Sequence, residues 1–178
     1  MSVRFVMTAF GKDRPGIVAD VTRLLYEHDC NLEDTSMNLL VDEFTLSLLF
    51  SSQNEGVQDL LLRDCRRLEV EKGISAFIRQ LPEREQGRGN GRKCILHIEG
   101  LDQSGIVYKT SRFLAERQLN ILHLNSTNKP SPQSGAPMYQ MDIQVQVPES
   151  LSLQDLEDEL GQVADDLQVD INVVSCTP

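Results

Sequence analysis

Basic charge is in short supply. In 178 residues, 17 Lys and Arg stand against 27 Asp and Glu, a formal net charge of −10. A surface of that sign repels phosphate backbones, and nucleic-acid binding needs a concentrated basic face, so no direct contact with DNA or RNA is expected. Long apolar runs are missing too. No stretch approaches the ~18 consecutive apolar residues of a membrane span. The opening segment alternates apolar and polar residues and meets Arg4 early, unlike the apolar core of a signal peptide. Cysteines are few and scattered: Cys30, Cys65, Cys94 and Cys176 form no Cys-x-x-Cys pair. That pattern fits incidental thiols in a reduced, cytoplasmic protein. Catalytic motifs are absent as well. The glycines at 11 and 16 are not followed by the Lys-Ser/Thr of a phosphate-binding loop, and neither G-x-S-x-G nor H-E-x-x-H occurs. His28, His97 and His123 are far apart in unrelated contexts, so no metal is expected. With no nucleophile–base pair in view, neither an enzyme nor a cofactor is expected.

What the sequence does contain is itself, twice. A shift of 89 residues lays Gly11-Lys-Asp-Arg-Pro-Gly-Ile-Val18 over Gly100-Leu-Asp-Gln-Ser-Gly-Ile-Val107, and the match runs on through Arg23/Arg112, Leu25/Leu114, Glu27/Glu116 and Asn31/Asn120. Nine of the 22 positions from Gly11 to Leu32 are identical, where average composition gives about one or two. Between the copies, residues 82–93 are rich in Gly and charge and carry no apolar periodicity, as a solvated linker does. Its basic residues Arg84, Arg88, Arg92 and Lys93 need no further role. The organisation expected is a first domain over 1–81, a linker over 82–93 and a second domain over 94–178. Units of about 80 residues are marginal alone, so packing together or self-association is expected.

Each copy reads strand, helix, strand, strand, helix, strand. In the first, Val3 to Phe10 alternates as a strand does, and Ile17, Val21, Leu24 and Leu25 line one face of a helix. Pro15 suits that helix's first turn. Leu32 to Leu40 and Phe44 to Ser52 read as strands around a polar turn; a helix from Val57 to Lys72 stops at Gly73, and Ile74 to Gln80 closes the unit. In the second copy the strands fall near Cys94–Glu99, Ile121–Thr127, Met138–Val147 and Val169–Ser175, and the helices near Gly105–Gln118 and Ser152–Leu167. The segment Asn128 to Pro137, with three prolines, reads as a long loop. A βαββαβ order gives an α+β fold: two tandem ferredoxin-like units, each an antiparallel sheet with both helices on one face.

The loop Gly11-Lys-Asp-Arg-Pro-Gly16 carries the sharpest chemical signal. Its glycines permit a tight backbone leading directly into a helix, where free N–H groups and the positive end of the helix dipole favour an anion such as a carboxylate. Asp13 adds an acceptor for an ammonium group, so the two features together match both charged ends of an α-amino acid. Asn31 opens the next strand and can approach the same crevice or that of a neighbouring unit. Helix capping by Asp13, with the glycines serving only the turn, is the competing explanation. The recurrence of Asp13, Gly16 and Asn31 as Asp102, Gly105 and Asn120 brings a ligand level with that explanation.

These residues resemble the ACT-domain family, whose signature runs from a strand through a G-x-D/N-x-P-G loop into a helix, with an Asn fifteen residues after the last Gly. Gly16 to Asn31 and Gly105 to Asn120 keep that spacing. The resemblance covers about residues 3–80 and 94–175. Within the family the chain is similar to the glycine cleavage repressor group, free-standing pairs of such domains, also through Ser134-Gly-Ala-Pro-Met-Tyr139 and Met141 to Pro148. The resemblance implies a sensor of a small amino acid, glycine or serine-like, held near the first loop and helix at interfaces between units. The implied contact residues are Gly11, Asp13, Arg14, Pro15, Gly16, Ile17 and Asn31 in one copy, and Gly100, Asp102, Gln103, Ser104, Gly105, Ile106 and Asn120 in the other. It also implies control of transcription by contact with a DNA-bound LysR-type activator, and the exposed edges of such small sheets make a homo-oligomer the expectation. Gln103 and Ser104 depart from the pattern of Arg14 and Pro15, so a second site that is weaker or selects another ligand is expected. Two alternatives stand beside this one: an amino-acid-responsive subunit of a metabolic enzyme, and an interaction module without a ligand.

Overall fold

The computed structural model describes residues 2–54, 56–82, 91–131 and 135–177. The chain divides into two compact units, Met1–Gln86 and Gly87–Pro178. The first contains β1 (Val3–Lys12), α1 (Ile17–Glu27), β2 (Asn31–Leu40), β3 (Glu43–Ser52), α2 (Val57–Lys72) and β4 (Ser75–Gln80). Its strands are all antiparallel in the order β2-β3-β1-β4. The second contains β5 (Gly91–Leu101), α3 (Ile106–Glu116), β6 (Asn120–Pro130), β7 (Pro137–Pro148), α4 (Leu153–Leu167) and β8 (Val169–Thr177), in the order β6-β7-β5-β8. Both are the expected βαββαβ units.

The apolar pattern explains why. Phe5, Met7 and Ala9 alternate along β1 and are buried, as are Phe44, Leu46, Leu48 and Phe50 along β3. Side chains two apart on a strand share a face, so these seven make one apolar sheet face. Against it lie Ile17, Val21, Leu24 and Leu25 of α1 and Val57, Leu61, Cys65 and Leu68 of α2. The second unit repeats the design with Cys94, Leu96 and Ile98 of β5 and Met141, Ile143, Val145 and Val147 of β7. Burying a side chain of this size contributes about 1.5–3 kcal/mol, so each unit has a continuous core of its own.

Three expectations are corrected. The ends of the segment Asn128 to Pro137 are strand: the β6–β7 ladder runs on through Asn128↔Tyr139, Lys129↔Met138 and Pro130↔Pro137, so the connection is shorter than expected. Pro is tolerated there because strand ends and edges need no ladder N–H from it. Pro15 lies outside α1, since Gly16 takes the N-cap position. The third correction concerns thiols: Cys94 and Cys176 are joined by a disulfide, leaving only Cys30 and Cys65 free. The register accounts for it, because β5 and β8 are neighbours and pair Cys94 directly with Cys176, across 82 positions of sequence. Of the linker reading, β5 takes up Gly91 to Lys93, and residues 83–90, with Arg84 and Arg88, lie outside the described residues. Ser134 lies outside them too.

Candidate functional site

The loop from β1 to α1 is fixed at both ends. The Asp13 N–H donates to the Asp42 carbonyl at 2.8 Å, tying the loop to the β2–β3 turn, and the Ile17 N–H donates to the Arg14 carbonyl at 3.3 Å. Gly16 then occupies the left-handed region at φ 87°, and no side chain caps α1. Residues other than glycine rarely adopt that conformation, and a Cβ there meets nothing within 4 Å; the backbone angle alone requires glycine. Beyond the Ile17 N–H, which the Arg14 carbonyl accepts, the start of α1 thus presents N–H groups and a partial positive charge with no side-chain cap among the described residues. The capping explanation for Asp13 fails: its carboxylate caps nothing and has no side-chain partner among the described residues. Arg14 bridges to Asp20 in the first turn of α1 at 2.5 Å, and this guanidinium holds the Asp20 carboxyl below its ordinary range.

The second loop keeps the frame and changes the furniture. Gly105 repeats the conformation at φ 98°, again with no side-chain cap on α3. Here, however, Asn128 of β6 donates to the Asp102 carboxylate at 3.0 Å. Gln103 donates through Nε2 to the Leu167 carbonyl, binding the loop to the end of α4. Gly11 and Gly100 answer a packing demand: a Cβ would meet the Gly73 carbonyl at 3.0 Å in one copy and Val169 Cγ1 at 2.6 Å in the other. Ile17 and Ile106 are buried and anchor their helices to the cores, while Pro15 and Ser104 are exposed on the loops.

Neither asparagine joins the loop of its own unit. Asn31 pairs with Ser51, whereas the loop begins where Lys12 pairs with Glu43. Those points are eight residues apart along β3, about 27 Å. Asn120 is placed in the same way, opposite Gln146, with Leu101 opposite Met138. Asn31 instead borders a polar crevice of about 500 Å³, lined also by Ser2, His28, Asp29 and the run Ser51 to Asn54. Sequence reasoning missed the Ser51–Asn54 contribution, which arises only because β3 ends beside the start of β2. At its edge, His28 Nε2 meets Asp64 at 2.6 Å, and Arg67 meets the other Asp64 oxygen at 3.1 Å. Among the described residues no three His, Cys, Asp or Glu are grouped to hold a metal, and no helix is long and apolar enough to cross a membrane.

A family model described as "ACT domain" matches residues 4–78, which span the first loop and Asn31. A UPF0237 protein of Methanopyrus kandleri is 36% identical over 76 residues, 42% of this chain and 84% of that protein. The chain belongs to the ACT-domain family. The likeness extends over both ACT units in the glycine cleavage system transcriptional repressor of Escherichia coli, 26% identical across 96% of this chain and 90% of that one. Among solved structures, an unknown protein from Galdieria sulphuraria aligns with TM-score 0.78 at 27% identity, covering 97% of this chain and 98% of that one. A structure titled as a putative glycine cleavage system transcriptional repressor aligns with TM-score 0.74 at 21% identity, covering 99% and 98%, and shares the fold. The ACT units here are therefore a tandem pair, as the duplication indicated, and the signature residues sit in the strand–loop–helix context that the family pattern implies.

Proposed function

We propose that this tandem ACT protein is an amino-acid-responsive regulator. The observation that carries the reading is the bare start of α1 beside the unpartnered Asp13 carboxylate. The N–H groups there suit the carboxylate of a small amino acid such as glycine or serine, and Asp13 suits its ammonium group. The absence of a side chain on Gly16 leaves the backbone open to such a ligand. Asn31 lies at the far end of its own sheet, so it reaches this ligand only from a further ACT unit, such as that of a second chain. Self-association is part of the proposal for that reason.

The output is protein contact, in the cytoplasm, with a DNA-bound activator of the LysR type. The net charge of −10 supports contact with a protein over contact with DNA, and the likeness to the repressor over 96% of the chain supports a transcriptional role. The effector acts by binding one arrangement of the partner surface better than another. Isothermal titration of the full chain with glycine, serine and other amino acids tests the first step. Saturable binding by one of them, lost in Asp13→Asn, is the expected result. No heat at two temperatures, or full affinity in Asp13→Asn, removes the site.

A further inference from the structure

The four cysteines fall into two classes. Cys30 and Cys65 are unlinked, and burial raises both thiols, Cys65 to about 11, where Asp64 adds to the effect. Groups so placed stay protonated and unreactive near neutrality. Cys94 and Cys176 are the bonded pair, and they join the first strand of the second unit to its last.

Two features of their surroundings set this bond apart from a fold requirement. In the first unit the position corresponding to Cys94 is Phe5, which is buried and pairs with Gln80 of β4. The same frame therefore closes there without a disulfide. Second, the β5–β8 ladder shifts register between Ile95 and Leu96. Beyond that irregularity only Ile95↔Ser175, Cys94↔Cys176 and Lys93↔Thr177 remain paired, and β8 is the edge strand, with β5 as its one neighbour. The bond sits in the middle of this short outer segment. Cys94 is fully buried, whereas Cys176 is half-buried, so an external thiol meets the Cys176 sulfur first.

We propose that Cys94 and Cys176 form a reversible thiol–disulfide exchange site for low-molecular-weight thiols and disulfides, and that its state decides whether the outer end of β8 stays on β5. Opening begins with attack of an external thiolate on Cys176 Sγ. The Cys94–Cys176 bond breaks, Cys94 leaves as a thiolate and takes up a proton, and Cys176 is held in a mixed disulfide. A second external thiolate attacks the external sulfur of that mixed disulfide, releasing Cys176 as a thiol and one external disulfide. Two thiols are oxidised to one disulfide as the protein disulfide is reduced to two thiols. Closing is the reverse, with the external disulfide as oxidant. In the open state Lys93 to Ile95 present a bare strand edge, the kind of surface that accepts another strand.

The test is to equilibrate the full chain in buffers of reduced and oxidised glutathione, trap free thiols by alkylation, and follow backbone amide exchange in parallel. Cys94 and Cys176 are expected to convert together between two reducing ratios, with Cys30 and Cys65 unchanged as free thiols throughout. Amides of residues 93–95 and 175–177 are expected to exchange at least tenfold faster in the reduced form, and Cys176→Ser should show the same speed under oxidising conditions. A bond that survives a large excess of reduced glutathione overturns the proposal. So does a protein with four free thiols after oxidation, or amide exchange that reduction leaves unaltered; these last readings use the wild-type chain and do not depend on a variant's folding.

Discussion

The two ACT units share a backbone plan and differ in what they hang on it. In the first, Asp13 has no side-chain partner among the described residues and Arg14 turns to Asp20 of α1. In the second, Asn128 engages Asp102 and Gln103 ties the loop to Leu167. At the end of the first helix, His28 meets Asp64 in one unit, and Arg117 meets Glu159 in the other. The sheet faces turned away from the helices also diverge: Phe10 and Phe77 stack with centroids 6.0 Å apart in the first, while the second places His97 between Asp142 at 2.7 Å and Glu99 at 3.6 Å. Duplication thus preserved most of the apolar positions that build the core, with Val21 against Thr110 as an exception, and released the polar ones. The Asp102 carboxylate is engaged from within its own unit, whereas that of Asp13 has no side-chain partner among the described residues.

The largest effect that would sharpen this contrast is on stability. Reducing the Cys94–Cys176 bond, which spans 82 positions, should destabilise the second unit by about 2–5 kcal/mol and leave the first unchanged. Denaturant unfolding with a probe in each unit checks this, and equal loss in both would contradict it. Next comes the loop comparison. Asp13→Asn removes an ionic hydrogen bond and should weaken amino-acid binding ~10- to 100-fold, whereas Asp102→Asn should do far less because its carboxylate is already engaged. Titration calorimetry on both variants decides, and equal losses would break the asymmetry.

Smaller still is a packing difference. Thr110 of α3 is fully buried and its hydroxyl has no hydrogen-bond partner among the described residues; the corresponding residue in the first unit is Val21. Thr110→Val should stabilise the second unit by ~1 kcal/mol, measured as a raised denaturation midpoint; a lowered midpoint would show the hydroxyl to be satisfied. The smallest effect is on pH dependence. Asp142 first, and then Glu99, raise the His97 imidazolium above its ordinary pKa. Its contribution, ~0.5 kcal/mol for so exposed a pair, is present in full below the ordinary value near 6.5. It declines as pH rises and is gone above the raised value. Stability profiles of wild type and His97→Gln should converge at high pH and separate at low pH; the opposite order would refute the assignment.

The architecture was legible because its determinants are local. Alternation marks strands, the Ile17–Leu25 spacing marks a helix face, and the Gly-Asp-Gly recurrence marks the duplication. What escaped depends on register between distant segments. Nothing in the spacing of Cys94 and Cys176 reveals that β5 and β8 are neighbours. The prolines of 128–137 resembled a loop because their local preference is for turns, yet both Pro130 and Pro137 sit at strand ends where that preference costs no ladder bond. Within the candidate site, Asp13 and Gly16 share one loop because they are three residues apart in sequence. Asn31 was grouped with them by motif alone, and the intervening helix carries it to the opposite end of the sheet.

The glycine that opens α1 has a thermodynamic consequence. A Ser or Asp at the N-cap can cap its own helix, typically ~1 kcal/mol in its favour over a residue that cannot cap; α1, begun by Gly16, has no such side chain. Any anion that settles on the N–H groups there performs the task that a capping side chain can perform. Occupancy and helix-end order then rise together, so a ligand there would be read as a firmer first turn of α1 before any larger movement takes place.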